Sequence, residues 1–453
     1  MKTLMQAWIS SSLEEKILWL YMALMPCSGV ACFYLGIKRV GYSDLVFAAL
    51  FIIWIIKYFN KKTMLPGTSL GAPLILMPVL FSLSFINSVN LFNSFTELAG
   101  LIYLIILLLL VISVLSTPES LKRILSIYLL IGTAICVTGL LCFCLAYLKG
   151  DMINNPFLRY TAVESMAHHF PRIKLMFETP NMMLTYLHVV LVFGIALFMA
   201  EKKNNIKFLF GTCIVIIVIT AFFTGSRRFT GFLLSFFLIL SWMGKGKAAS
   251  IFKYASFLAA ISFFIISVVT SIWVVFPVKI ARDDAKKNIM LEANYAYSLH
   301  YIQPVASVSM IRKHPIIGVG LGTYNANFRK NVDWEWLRSD FDFNAYPEYV
   351  KPVENRTLSF DPHSVFLGFF AETGILGLTG LLYFFGSYLV LLFRAFRSST
   401  DGSLRKLVSG CVLAGFIGFL LNGITIDILS MRHFWFMMAA GIAALNISPH
   451  SKC

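Results

Sequence analysis

Apolar runs long enough to cross a bilayer recur from one end of this chain to the other, and they leave little choice of fold. They lie near 17–35, 44–59, 70–86, 95–115, 121–148, 182–200, 206–224, 229–243, 250–276, 366–393, 407–424 and 431–447, and roughly 17–25 residues are what a helix needs to span hydrocarbon. A backbone in hydrocarbon finds no water, so only helices and closed barrels are viable there. None of the runs alternates apolar and polar residues as a barrel strand does. The expected fold class is an all-α polytopic membrane protein with about twelve transmembrane helices. With 58% hydrophobic and 13% charged residues and a mean hydropathy of +0.77, the chain is no ordinary soluble domain, whose apolar content is about 45–50%. The run 17–35 has no small-residue cleavage site after a short apolar core, so it is read as the first helix and not as a removed signal. Residues 1–16 read as a short interfacial helix, with Ser12 and Glu15 set as a capping box.

Lysine and arginine give the runs a direction. The connections after even-numbered runs, with the two termini, hold eighteen of them, among them Lys57, Lys61, Lys62, Lys202, Lys203, Lys207, Arg394, Arg397 and Arg405. The short connections after odd-numbered runs hold five: Lys38, Arg39, Arg227, Arg228 and Arg432. Positively charged loops stay inside, so both termini are expected in the cytoplasm. The chain then divides into helices one to nine over 1–276 with an outer loop at 149–181, a large outer loop at 277–362, and helices ten to twelve over 363–453. The net charge of +16 needs no nucleic acid to explain it, because the large loop carries eleven Lys/Arg against ten Asp/Glu and the excess faces the cytoplasm. Anionic membrane lipids are the natural partners of that face.

Ionisable residues in or beside apolar runs are costly and mark function by default. Here they are Glu97, Arg227, Arg228, Glu372, Asp427, Arg432 and His433, each toward the outer end of its run, so that one outward-facing site can gather them. A transporter would place such residues near the midplane in two related halves. This chain shows no internal repeat. Arg227 and Arg228 follow Thr224-Gly225-Ser226 in a turn too short to leave the membrane surface; they read either as a bidentate cradle for phosphate or as snorkelling anchors. His363 stands where the large loop meets the tenth helix, as a general base or as a capping histidine. In HPIIGVGLGTYNANF, from His314, Gly318, Gly320 and Gly322 alternate without the ending of a P-loop, which predicts a tight turn against the membrane. Residues 285–313 read as helical with a break near Pro304. From Asn331 to Phe360, Trp334, Trp336, Tyr346 and Tyr349 alternate with Asp340, Asp342 and Glu348, which suits either a sugar surface or interfacial anchoring. The eight cysteines are scattered, and His168-His169 lacks a third ligand, so neither a disulfide framework nor a metal site is expected. Asp283-Asp284 and Asp340-Phe341-Asp342 are the residues a divalent ion would use if one were needed.

Three elements in this order, the TGSRR turn, HPIIGVGLGTY and DPHSVFLGFFAETGILGLTG, together with the helix layout, resemble the O-antigen ligase and O-antigen polymerase superfamily of bacterial envelope glycosyltransferases, over roughly 206–393. The resemblance implies a GT-C-like fold in the bacterial inner membrane. It also implies an enzyme with its site facing the periplasm, which moves a glycan from an undecaprenyl pyrophosphate carrier to an acceptor sugar hydroxyl, inverting and without metal or other cofactor. The acceptor is lipid A-core in a ligase, the nearer likeness, and a second lipid-linked glycan in a polymerase; a non-enzymatic lipid-glycan transporter is the further alternative. The catalytic histidine falls on His363 and the first pyrophosphate arginine on Arg227 or Arg228. Where relatives carry a second arginine this chain has His300, so the second charge falls to His300, Arg282 or Arg312. Ser364 follows the histidine in place of the family's asparagine and keeps a hydroxyl for helix capping; Glu372 and Asp427 are possible supporting residues.

Overall fold

In a computed structural model the chain is described at residues 11–35, 38–60, 68–149, 155–161, 170–226, 228–243, 251, 254, 258, 303–332, 362 and 364–447. Its helices are α1 (Leu13–Leu24), α2 (Tyr42–Phe59), α3 (Gly71–Ser82), α4 (Leu91–Val114), α5 (Pro118–Lys149), α6 (Pro180–Ala200), α7 (Asn204–Phe223), α8 (Phe229–Met243), α9 (303–313), α10 (Tyr324–Phe328), α11 (Val365–Ser398), α12 (Leu404–Gly423) and α13 (Arg432–Leu445). Among the described residues seven of them, α2, α4, α5, α6, α7, α11 and α12, are long and apolar enough to cross a membrane. These match seven of the expected runs. The runs at 70–86, 229–243 and 431–447 form shorter helices, and 250–276 lies outside the described residues apart from Ile251, Tyr254 and Leu258.

The first run is a correction. It is not one helix: α1 gives way at Pro26 to the 3-10 turn Met25–Gly29, and the chain then leaves as a hairpin of β1 (Ala31–Leu35) and β2 (Lys38–Gly41). Pro26 has no N–H to continue the ladder, and Gly29 packs on backbone, with its N–H donating to Met176 O at 2.9 Å. A second hairpin, β3 (Leu158–Thr161) with β4 (Phe170–Ile173), lies between α5 and α6. Ser12 caps α1 as its sequence suggests, accepting from Glu15 N at 3.2 Å.

The core centres on α6, whose residues Met183–Leu197 are all buried, walled by α5, α7, α12 and α13. Lipid cannot distinguish one apolar face from another, so association rests on close packing and polar contacts. Both are present where α8 meets α12: Gly231 and Gly418 let the backbones touch, a Cβ on Gly418 falling 2.4 Å from Gly231 O. Ser235 Oγ lies 3.0 Å from Ala414 O, and His188 Nε2 lies 2.7 Å from Ser235 Oγ with the imidazole stacked on Phe419.

Three ion pairs among the described residues each connect ends that the charge count puts on one side. Lys57 pairs with Glu14, Arg123 with Glu15 at 3.3 Å, and Lys122 with Glu201 at 3.2 Å. Glu201, just past α6, is held below the usual carboxylate range by the N–H of Lys203 first and by Lys122 besides. At the opposite end stand both loops that carry the candidate site.

Candidate functional site

The most ordered part of the site is a mutual repair of two interrupted backbones. Helix α11 breaks at Gly374, whose φ of 64° and ψ of −167° are open to glycine alone. An unbroken helix would bond Ile375 N to Ala371 O and Leu376 N to Glu372 O. Instead Ile375 N donates to Pro315 O at 2.9 Å and Leu376 N to Ile316 O at 3.3 Å, while Ala371 O accepts from Val319 N at 3.0 Å and Glu372 O from Gly320 N at 2.9 Å. All four groups released by the kink are thus taken up by the HPIIGVG segment. Contact this close excludes side chains: a Cβ on Gly318 would lie 2.3 Å from Glu372 C, and one on Gly374 2.2 Å from Ile316 O. Gly318, Gly320 and Gly322 all have positive φ.

The loop's other side is gripped by the turn between α3 and α4. Asn87 Nδ2 donates to Gly318 O at 2.8 Å, Leu321 N to Ser84 Oγ at 3.0 Å, and Ser94 Oγ to Leu321 O at 2.6 Å. Glu372 completes the fastening. Its two carboxylate oxygens accept from Gly322 N and Tyr324 N, both at 2.9 Å, at the start of α10. That geometry makes Glu372 an anchor for the loop.

The TGSRR turn is held by other elements. Arg228 Nη2 donates to Thr425 O at 2.7 Å, just beyond α12, and Asp427 Oδ1 accepts from Leu429 N at 2.9 Å in the same connection. Gly423, at the end of α12, lies against Val365, where a Cβ would meet Val365 Cγ1 at 3.0 Å. Ser364 caps α11, accepting from Leu367 N at 3.3 Å. The turn, the 423–427 connection and the first residues of α11 therefore adjoin. Arg312 is exposed on α9. Arg227, His300, Arg282 and His363 lie outside the described residues, as do His168, His169, Asp283, Asp284, Asp340 and Asp342. Among the described residues no three of His, Cys, Asp and Glu come together as a metal set.

Two of the charged positions flagged by sequence are committed to packing. Arg432 Nη2 bonds Asp44 Oδ2 at 2.7 Å and its Nε bonds Tyr103 Oη at 3.2 Å, with Tyr103 Oη donating to Asp44 Oδ1 at 2.9 Å. His433 is buried, its Nε2 3.1 Å from Thr185 Oγ1. Asp44 and Arg172 carry no motif signal; Arg172 bonds the TGSRR turn from β4, Nε to Thr224 O at 2.7 Å and Nη2 to Asn181 Oδ1 at 3.2 Å.

Fold and site together define a multi-pass helical membrane protein with a glycine-docked loop at one end of the bundle. Residues 212–382 match the family model for O-antigen ligase. That span takes in the arginine turn, the docked glycine loop and the first half of α11, the same three motifs that carry the resemblance. No curated protein matches the chain.

Proposed function

We propose that this protein is an O-antigen ligase of the bacterial inner membrane, transferring a glycan from an undecaprenyl pyrophosphate carrier to a sugar hydroxyl of lipid A-core on the periplasmic side. What carries the reading is the adjacency of the Arg228 turn, the 423–427 connection and the start of α11, the helix that follows His363 in sequence. A guanidinium stays charged in a low-dielectric site and binds phosphate oxygens in a planar fork, so Arg228, with Arg227, takes the negative charge that builds as pyrophosphate leaves. The acceptor oxygen forms its bond to the anomeric carbon as the bond from that carbon to the pyrophosphate oxygen breaks, with inversion. The acceptor proton passes to His363, an imidazole whose ordinary pKa of about 6.5 leaves it free to accept one. The second cation at the pyrophosphate is His300, Arg282 or Arg312. Membrane lipids and the two lipid-linked glycans are the partners.

A deletion strain tests the reading directly. Long glycan chains accumulating on the lipid carrier, with lipid A-core left unextended, are the expected result. Accumulation of single carrier-linked repeats instead makes the protein a polymerase, and carrier-linked glycan held at the cytoplasmic face makes it a transporter.

A further inference from the structure

The sequence places the two arginines of the TGSRR turn in a connection between α7 and α8 that has no helix of its own to hold it. Its rigidity comes from elsewhere. Thr224 is fully buried and Ser226 nearly so, and Gly225 turns between them with a φ of 56°. From the α5–α6 connection β4 brings Arg172 over this glycine, where a Cβ would meet Arg172 Cγ at 3.1 Å. Arg172 Nε donates to the Thr224 carbonyl at 2.7 Å. Its Nη2 donates to Asn181 Oδ1 at 3.2 Å, and the same oxygen accepts from Ser226 Oγ at 2.7 Å. Ser226 Oγ in turn accepts from the backbone N–H of Arg228 at 3.3 Å. One guanidinium, through a carbonyl on one side and an amide oxygen and hydroxyl on the other, therefore fixes the backbone of the turn up to Arg228.

We infer that Arg172 is a positioning residue for donor binding: it sets the angle at which the TGSRR arginines meet the pyrophosphate of the lipid-linked donor, and it ties the first outer loop to that site. The inference rests on the proposed glycan transfer from a lipid pyrophosphate. A planar fork is required, because Nε and Nη2 bond different groups at once and a lysine can reach only one of them. The bonds of Arg172 named here run to the turn and to Asn181, so its loss is expected to be felt on the donor side.

Transfer by the purified full-length protein in liposomes, with an undecaprenyl pyrophosphate-linked glycan as donor and lipid A-core as acceptor, separates the cases. Arg172→Ala is expected to raise the donor KM roughly tenfold, the scale of one lost charged hydrogen bond, with acceptor KM unchanged. Arg172→Lys should fall between it and the wild type. Asn181→Ala should raise the same KM, and the double variant should be no worse than Arg172→Ala, since the two residues act as one unit. If Arg172→Ala does not insert, Asn181→Ala and Arg172→Lys read the same KM. A donor KM within twofold of wild type in the variants that insert, or strictly additive effects, overturns the inference while wild-type transfer stands. No transfer by the wild type overturns the proposed function and the inference together.

Discussion

The bundle's lysine-rich end is tied by side chain to side chain: Lys57 to Glu14, Arg123 to Glu15, Lys122 to Glu201, and Lys406 to Asp401 at 2.6 Å. At the opposite end, by contrast, most ties run to the backbone. Four peptide groups of α11 exchange partners with the HPIIGVG loop, Glu372 accepts from two N–H groups, and Arg172 and Arg228 each bond a carbonyl. Ion pairs between side chains tolerate drift because the lysine and arginine stems that form them are long and flexible. Backbone bonds between elements do not, because each position depends on the path of the chain on both sides. The second kind of construction suits the proposed function, in which guanidinium groups are held at a fixed spacing from an incoming phosphate. It also explains the distribution of glycines with positive φ, of which Gly225, Gly318, Gly320, Gly322 and Gly374 stand at that end.

The sharpest contrast is between glycines. Gly318→Ala or Gly374→Ala must drive a methyl into backbone as well as strain φ, and should lower stability by roughly 3 kcal/mol or more. Gly402, at the lysine-rich end, has a φ of 76° but nothing within 4 Å of a Cβ, so Gly402→Ala should cost only about 1 kcal/mol. Thermal unfolding in detergent reads both. Equal losses would mean that the loop and the α11 kink are not in the contact described.

Ion pairs give a contrast of the same kind. Arg432→Ala leaves Asp44 largely buried without its partner and should cost about 3 kcal/mol, with Asp44→Ala adding little on top. Additivity in that cycle would show the pair to be incidental. Glu372→Gln should cost about 1–2 kcal/mol, because an amide replaces one of two acceptors, while most glycan transfer survives. Complete loss of transfer in a stably folded Glu372→Gln would move Glu372 from anchor to chemistry. Smallest of all, Lys406→Ala, which takes one partner from an Asp401 side chain that is 81% exposed, should change stability by about 0.5 kcal/mol, and a loss several times larger would show that the two ends are not built differently.

How much of this the sequence carries depends on the range of the interaction. Apolar runs report burial in lipid residue by residue, so seven spans emerge within a few residues of their expected ends. The same signal cannot separate a helix from a hairpin of apolar residues, and 17–35 fails there, at Pro26 and Gly29. Alternating glycines after His314 announce a turn against other backbone, though not that its partner is the ETG of α11. Arg172 and Thr224 are 52 residues apart and Asp44 and Arg432 are 388 apart; neither pair has a spacing that marks it. Glu372 reads in sequence as a possible supporting residue of the site, because ionisable residues in apolar runs are costly. Its two N–H donors come from a loop 50 and 48 residues earlier and are visible only in the fold.

The central claim is that the glycine-docked end performs glycan transfer with His363 as base. Transfer from an undecaprenyl pyrophosphate-linked glycan to lipid A-core, followed in liposomes with wild-type protein and with His363→Ala at equal insertion, tests it most directly. The account predicts that the variant transfers nothing measurable, whereas removing the Lys57–Glu14 pair at the other end leaves the rate unchanged. Transfer by His363→Ala at the wild-type rate would contradict it.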